Sequence, residues 1–173
     1  MNIIKFRRVL LEELWSLYQF LFLFIPGRFG HKIRGLFLGF FIKKCGHSFS
    51  VKENVEIHHP ESLEVGDFSG FGRNNIIDAI GGISIGSNVR LGPNVMIATM
   101  NHATKGKVIG QSEKVFKKVT IGNNVWVGHG VTILPGVMIG NNVIVAAGAV
   151  VTKSFDGDCT IAGVPAKVIG NDK

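Results

Sequence analysis

From residue 121 onward, an aliphatic residue occupies every sixth position of the chain. The series is Ile121, Val127, Ile133, Ile139, Val145 and Val151, and a second series follows it four positions later: Val125, Val131, Val137, Val143 and Ala149. A period of six fits neither an α-helix nor a single strand. It fits an all-β solenoid in which each hexad forms one face and three faces form one coil. We expect the aliphatic residues to point inward and to stack about 4.8 Å apart.

The same spacing occurs upstream, at Ile85, Leu91 and Ile97, and more loosely at Val65, Phe71 and Ile77. Small and polar residues separate the aliphatic positions, as in 122–124 (Gly-Asn-Asn) and 140–142 (Gly-Asn-Asn). We expect these residues to form the corners, where a positive φ is needed. The repeat stops after His102, and residues 103–118 are predicted to be an extruded loop, which is a usual place for function.

The first 45 residues follow a different pattern and are predicted to form a helical segment, with the solenoid domain at residues 46–173. From Val9 to Ile25 the chain is largely apolar, and Pro26 and Gly27 end this run. Its uncharged part is shorter than the about 20 residues that a spanning helix needs. A second, amphipathic helix is predicted from a stripe of apolar residues: Phe29, Ile33, Leu36, Phe37, Phe40 and Phe41.

The formal net charge of +7 is concentrated in this segment. Residues 1–44 contain eight basic and two acidic residues, against eleven and ten in the rest of the chain, together with eight of the 13 Phe. A nucleic-acid binder usually spreads its basic residues over a folded face, so we expect no nucleic-acid partner. Two interpretations remain open: residues 1–44 contact a membrane surface peripherally, or the helices cap the end of the solenoid.

Cysteine usage indicates a cytoplasmic protein. Cys45 and Cys159 form no CxxC or metal-binding spacing and are expected to be isolated reduced thiols. Glu12 and Glu13 interrupt the apolar run, which argues against a secretory signal. The expected location is therefore the cytoplasm, with the inner face of the cytoplasmic membrane as the site of any peripheral contact.

Three stretches resemble the hexapeptide-repeat acyltransferases, the left-handed β-helix family, and most closely its sugar O-acetyltransferase branch with the galactoside and maltose acetyltransferases. They are residues 92–102 (GPNVMIATMNH), 119–153 (VTIGNNVWVGHGVTILPGVMIGNNVIVAAGAVVTK) and 161–170 (IAGVPAKVIG). The resemblance covers roughly residues 50–170. It implies a left-handed helix, a homotrimer, acetyl-CoA as the acyl donor and no metal.

The same resemblance implies roles for individual residues. His102 matches the catalytic histidine, and imidazole is suited to accept the proton of a sugar hydroxyl as it attacks a thioester. The positions that match the acetyl-CoA groove are Trp126, His129, Ala147, Thr152, Lys153 and Lys167. Asp78, with Asn74 nearby, falls close to the sugar-contacting aspartate of the family. Asp78 is equally suited to a corner turn, and Trp126 to simple packing.

The loop carries five lysines against one glutamate, which suits an anionic acceptor or the phosphates of CoA: Lys105, Lys107, Lys114, Lys117 and Lys118. The basic, apolar N-terminus favours a cell-surface polysaccharide precursor, such as a lipid-linked saccharide, as the acceptor. The alternative acceptor is an amine, on an amino sugar or on an amino acid such as serine. A zinc-dependent carbonic anhydrase on the same fold is disfavoured because the six histidines lack the expected spacing, and a non-catalytic scaffold is disfavoured by the motif around His102.

Overall fold

The computed structural model describes residues 3–103, 108 and 112–171. Two helices, α1 (Ile3–Phe22) and α2 (Gly27–Leu38), precede a left-handed parallel β-helix of about six coils. The strands of the first three coils are β1 (Lys44–Cys45), β2 (Ser50–Val51), β3 (Glu56–His58), β4 (Leu63–Val65), β5 (Gly70–Phe71), β6 (Ile76–Asp78), β7 (Ile83–Ile85), β8 (Arg90–Leu91) and β9 (Met96–Ile97).

A hairpin and three further coils complete the chain. The remaining strands are β10 (Met100–His102), β11 (Lys114–Phe116), β12 (Val119–Ile121), β13 (Trp126–Val127), β14 (Thr132–Ile133), β15 (Met138–Val145), β16 (Val150–Val151), β17 (Phe155–Ala162) and β18 (Lys167–Asn171). A short 3-10 helix spans Pro60–Ser62. Strand β18 runs back antiparallel to β17 and covers the last coil.

The coils form a three-sided prism. Its first face contains β1, β4, β7 and β12, its second face β2, β5, β8 and β13, and its third face β3, β6, β9, β14 and β16. Strands β15 and β17 each cover the first face and then the second. We call the passages between faces the first corner (first to second face), the second corner (second to third) and the third corner (third to first).

The six-residue repeat predicted the interior of this prism correctly. Every aliphatic residue of both series is buried, as are the upstream positions. Equivalent residues stack in register, as the pairing of Ile121 with Ile85 on one side and with Ile139 on the other illustrates. The hydrophobic core is therefore a column of aliphatic side chains closed by the backbone of each coil.

The corners also match the expectation. Asn124 and Asn142 adopt positive φ at the first corner, and Asn124 donates a side-chain hydrogen bond of 2.9 Å to Asn142 Oδ1. Gly140, by contrast, has an ordinary φ. A Cβ at this position would collide with the backbone of Asp156 in the next coil, so glycine is required there by the close approach of two chains.

Departures from the repeat gather at the third corner. Successive coils are 18 residues apart between Asn123 and Asn141, but 20 apart between Asn54 and Asn74. The extra residues of the first two coils lie at the third corner, where the 3-10 helix also lies. The hairpin of β10 and β11 leaves from this same corner between the third and fourth coils.

The two helices cap the open end of the first coil. Trp15 Nε1 donates to the carbonyl of Ile57 over 2.8 Å, and the amide of Ile57 donates to Gln19 Oε1 over 2.9 Å. On the neighbouring face, Arg34 Nε donates to the carbonyl of Val51 over 3.0 Å. A terminal coil has no preceding strand to pair with, so side chains of the helices satisfy its exposed backbone groups.

Arg34 also holds the two helices together. Its Nη1 donates to the carbonyls of Phe22 and Ile25, which lie at and just beyond the end of α1, and its own carbonyl accepts from the hydroxyl of Tyr18. Burial lowers the pKa of this guanidinium, although Glu53 and Tyr18 oppose the effect. Burial also raises the pKa of Tyr18 to about 12, against the opposing effect of Arg34. A buried, multiply bonded arginine fixes the angle between the helices.

Candidate functional site

The segment that interrupts the repeat leaves the prism as an antiparallel ribbon. Strand β10 pairs with β11 so that Met100 lies opposite Phe116, Asn101 opposite Val115, and His102 opposite Lys114. The predicted loop at 103–118 is thus partly a β-hairpin, and 104–107 and 109–111 lie outside the described residues. The ribbon places His102 beyond the third corner, at the far end of a two-stranded stem.

Thr99 anchors the base of this hairpin. Its side chain is fully buried, its Oγ1 donates to the carbonyl of Asp78 over 2.7 Å, and it accepts from the amide of Gly81 over 2.8 Å. The amide of Lys117, on the returning strand, donates to the carbonyl of Thr99. One threonine therefore joins both strands of the hairpin to the preceding coil. The six-residue spacing contains no signal for this residue, because its partners lie in another coil.

His102 is half-buried, and its imidazole has a defined partner. Nδ1 lies 3.1 Å from the hydroxyl of Ser112 on the returning side of the hairpin. The backbone amide of His102 donates to Oδ1 of Asn101 over 3.1 Å. When a neutral imidazole donates through Nδ1, the lone pair on Nε2 is available to accept a proton. The arrangement can therefore orient a general base, and Ser112 is a residue that the sequence interpretation did not include.

The two predicted acceptor residues lie at different corners. Asp78 ends β6 at the third corner, where its Oδ1 accepts from the amide of Ile80 at 3.2 Å, so this carboxylate supports a corner turn. Through Thr99 it is also joined to the base of the hairpin. Asn74 lies at the second corner with positive φ, and its Oδ1 accepts from Asn54. The structure brings Asp78, but not Asn74, close to the hairpin.

Three of the predicted donor-binding residues lie on or beside the second corner. Trp126 is an exposed side chain of the second face, between Arg90 and Ile144 of the neighbouring coils. His129 is at the corner itself, 3.5 Å from Asn94 Nδ2 through its Nε2. Ala147 follows in the next coil, against Gly128. Gly128 is buried and allows the close approach of the Ala147 backbone, whereas Ala147 is exposed and its small side chain leaves room for a ligand along this corner.

The other three lie near the third corner and the last coil. Thr152 and Lys153 follow β16, and Lys167 begins β18. Both lysines line one open cleft, together with Ser154, Phe155, Asp156, Gly157, Cys159 and Val168. Lys153 Nζ lies 5.6 Å from the centre of the Phe155 ring, which holds it by a cation–π contact. Two ammonium groups in one cleft suit a phosphate-bearing ligand.

A single protomer thus separates the predicted donor-binding residues into two groups. The second and third corners border the same face, which carries β3, β6, β9, β14 and β16.

Of the loop lysines, Lys114, Lys117 and Lys118 are exposed and Lys105 and Lys107 lie outside the described residues. Across residues 3–103, 108 and 112–171, no group of three or more His, Cys, Asp or Glu is placed to hold a metal ion.

Comparison with known proteins gives matches along most of the chain. Residues 118–153 match a family model described as bacterial transferase hexapeptide (six repeats). Over 127 residues the chain is 36% identical to the galactoside O-acetyltransferase of Escherichia coli K12, and the alignment covers 69% of this chain and 62% of that protein. The chain therefore spans less than two thirds of the length of this relative.

Two solved structures are similar along most of their length. A maltose O-acetyltransferase from Clostridium difficile 630 has a TM-score of 0.84 and 30% identity, and the match covers 95% of this chain and 88% of that one. A hexapeptide-repeat acetyltransferase from Vibrio cholerae O1 biovar eltor was solved in complex with acetyl coenzyme A. It has a TM-score of 0.74 and 26% identity, over 82% of this chain and 78% of that one.

Proposed function

The chain belongs to the bacterial hexapeptide transferase family, and from this membership we propose that it is an O-acetyltransferase that moves the acetyl group of acetyl-CoA to a sugar hydroxyl. The observation that carries the proposal is the held imidazole of His102 on the hairpin beside the third corner. The similarity of the chain to galactoside and maltose O-acetyltransferases, and to a structure that contains acetyl-CoA, supports the same reaction.

In this reaction His102 acts as general base. Nε2 takes the proton of the sugar hydroxyl as its oxygen attacks the thioester carbonyl, while Nδ1 stays hydrogen-bonded to Ser112. When the C–S bond breaks, the imidazolium returns the proton to the leaving thiolate, so that free CoA and the acetyl ester are the products. General-base help contributes roughly 10²–10⁴-fold, and the positioning of both substrates supplies much of the rest.

For the donor we propose a groove between adjacent protomers of a homotrimer. Its walls are the two groups described above: Trp126, His129 and Ala147 from the second corner, and Thr152, Lys153 and Lys167 near the third. Because one prism holds these groups apart, a neighbouring protomer that packs against one corner would complete the groove. The paired lysines of the cleft then meet the phosphates at the nucleotide end of the donor.

For the acceptor we propose a sugar of a cell-surface polysaccharide precursor, presented to the cytoplasm and including lipid-linked saccharides. Asp78 lies at the base of the hairpin and offers a carboxylate to a sugar hydroxyl. Asn74 completes the predicted acceptor set only if the acceptor extends to the second corner. Exposed lysines of the hairpin favour an acceptor that carries negative charge.

The test is transfer from labelled acetyl-CoA to a panel of free sugars, nucleotide sugars, lipid-linked oligosaccharides, amino sugars and serine. We expect a base-labile acetyl ester on a sugar hydroxyl and no acetylated amine. Acetylation of amines alone would replace O-transfer by the N-acetyltransferase alternative. Binding of acetyl-CoA with no transfer to any acceptor of the panel, under conditions where a galactoside acetyltransferase turns over, would contradict the proposed reaction.

A further inference from the structure

Helix α1 is apolar, apart from Glu13, on the side that faces away from the solenoid. Its inner side is formed by Trp15, Tyr18, Gln19 and Phe22, which contact the first coil and α2. The opposite side exposes a helical stripe of large apolar residues: Phe6, Leu10, Leu14, Leu17, Phe20 and Leu21. The Phe20 side chain is 75% exposed. A helix with one buried side and one side in water normally carries polar residues on the outer side.

Helix α2 repeats this arrangement. Arg34, Gly35 and Leu38 face the first coil and are buried. On the other side Phe29 is 73% exposed, Leu36 is 70% exposed, and Phe40, just after the helix, is 80% exposed. These three residues are spaced seven and four apart, so they form one stripe along the helix.

A chain of aromatic rings joins the two helices that carry the exposed stripes. Phe37 of α2 packs against Phe22 of α1 at 5.6 Å between ring centres, and against the exposed Phe40 at 6.3 Å. Both helices therefore present apolar residues outward at the end of the prism, and we call their outer sides together the helix-pair face. An apolar area of this extent on a folded protein marks an interaction site.

Charge indicates what covers the helix-pair face. Arg28 and Lys32 are exposed on α2, one turn apart, on the flank of the Phe29–Leu36 stripe. Residues 1–44 carry eight basic residues against Glu12 and Glu13, whereas the rest of the chain is nearly balanced. Two copies that met through this face would bring like charges together. An anionic bilayer offers hydrocarbon for the apolar stripe and phosphate groups at the level of the flanking cations.

We propose that the helix-pair face is a docking surface for an anionic lipid bilayer, in which α1 and α2 lie in the plane of the interface with their apolar side inserted. No helix within the described residues is long and apolar enough to cross a membrane, and insertion of one side requires no crossing. Because the helices are fixed to the first coil by Trp15, Gln19 and Arg34, docking holds the prism end-on against the bilayer. This inference does not depend on the acetyl-transfer reaction.

The test is cosedimentation of the full-length protein with vesicles. Two preparations are compared: equal parts of phosphatidylcholine and phosphatidylglycerol, and phosphatidylcholine alone. We expect binding to the anionic vesicles that weakens as salt is raised, and much weaker binding to the neutral ones. Phe20→Ser combined with Phe40→Ser should lower the partition coefficient by about tenfold or more. Arg28→Glu with Lys32→Glu should lower binding to anionic vesicles about tenfold and leave the weak neutral binding almost unchanged.

Phe68→Ser is the matched control, because Phe68 is also exposed but belongs to the second coil, at the first corner of the prism, and to neither helix. It should bind vesicles like the unchanged protein. Circular dichroism melts verify that each variant folds. Vesicle binding equal in all variants, or no binding by the unchanged protein, would overturn the proposal. A change of oligomeric state in the double Phe variant without loss of vesicle binding would also overturn it, because the face would then be a contact between copies.

Discussion

The coils at 119–151 and the helix pair at the N-terminus use apolar residues in opposite ways. In the coils, the aliphatic residues of both six-residue series are all buried, and each coil satisfies its own backbone through the next. In the helix pair, Trp15 and Leu38 are buried, whereas Phe20, Phe29 and Phe40 are largely exposed. The coils are complete in themselves, apart from the surfaces that neighbouring protomers are proposed to share. The helices complete the first coil and leave their own outer side uncovered.

The coils and the helix pair should differ most clearly in function, because acetyl transfer is proposed for the hairpin of the coils and membrane docking for the helices. His102→Ala is expected to lower turnover by about 10²–10⁴-fold, because no other imidazole takes its place at the hairpin. Binding to anionic vesicles should not change. Steady-state kinetics and vesicle cosedimentation measure the two effects, with His47→Ala, at the distant first corner, as the control. Unchanged turnover in the His102 variant would mean that another group accepts the proton.

Removal of apolar side chains should have very different costs in the two regions. Ile139 is fully buried between Ile121 and Phe155, so Ile139→Ala should lower the free energy of unfolding by about 2–5 kcal/mol. Leu17 is about half exposed on α1, and Leu17→Ala should change the free energy of unfolding by less than about 0.5 kcal/mol. Chemical denaturation monitored by circular dichroism measures both. Equal losses would show that the outer side of α1 packs against another part of the protein.

Arg34 should stabilise the attachment of the helix pair and have almost no effect on the stability of the later coils. Arg34→Met removes the hydrogen bonds to Phe22, Ile25 and Val51, and should destabilise docking of the helices by about 2 kcal/mol. Relief of the buried charge opposes part of this loss, since one guanidinium nitrogen of Arg34 has no partner within the described residues. Hydrogen exchange should increase in α1 and α2 and stay constant in 119–151, as it should everywhere in the control Arg90→Met. Faster exchange in the coils would contradict this independence.

Ser112 is expected to position His102, with a smaller effect than loss of the imidazole. Ser112→Ala should reduce kcat roughly tenfold, because the ring keeps its place on β10 but loses the partner of Nδ1. The pH–rate profile should shift as well, and Ser112→Thr should restore it. Ser84→Ala, at a half-buried serine on the first face, provides the comparison. An unchanged pH profile in Ser112→Ala would assign Ser112 a purely structural role.

Acid should loosen the attachment of the helices. Although burial acts in the opposite direction, hydrogen bonds from the backbone, His31 and Arg73 lower the pKa of Glu53 from 4.5 to about 2. A carboxyl whose pKa is lowered in the folded protein stabilises it above about 4.5, and this contribution disappears as the pH falls toward about 2. Glu53→Gln should lack the pH dependence of stability in that window. The same acid dependence in both proteins would show that other carboxyl groups cause it.

The sequence predicted the coils well because their geometry is repetitive. A six-residue period places residues such as Ile133 inside, and the asparagines before each turn mark the corners. Contacts between distant parts of the chain have no such period. Trp15 meets Ile57 across 42 residues, and Ser112 reaches His102 only because the hairpin folds back. Local periodicity therefore could not reveal how the helices are attached or which residue holds the imidazole.

The sequence pattern also could not predict the helix boundaries or the residues of the proposed site reliably. The apolar run was predicted to start at Val9 and the second stripe to reach Phe41, whereas α1 begins at Ile3 and α2 ends at Leu38. An apolar stripe could not show which side of each helix the first coil covers. The roles of the residues at the two corners came from resemblance and stay predictions, because a single prism holds the two groups apart.

A crystal structure with coenzyme A bound tests the central claim most directly. We predict a homotrimer with coenzyme A in a groove between two protomers, its sulfur facing Nε2 of His102 and its phosphates near Lys153 and Lys167. Coenzyme A bound within one protomer and far from the hairpin, or an imidazole of His102 directed away from the sulfur, would contradict the account.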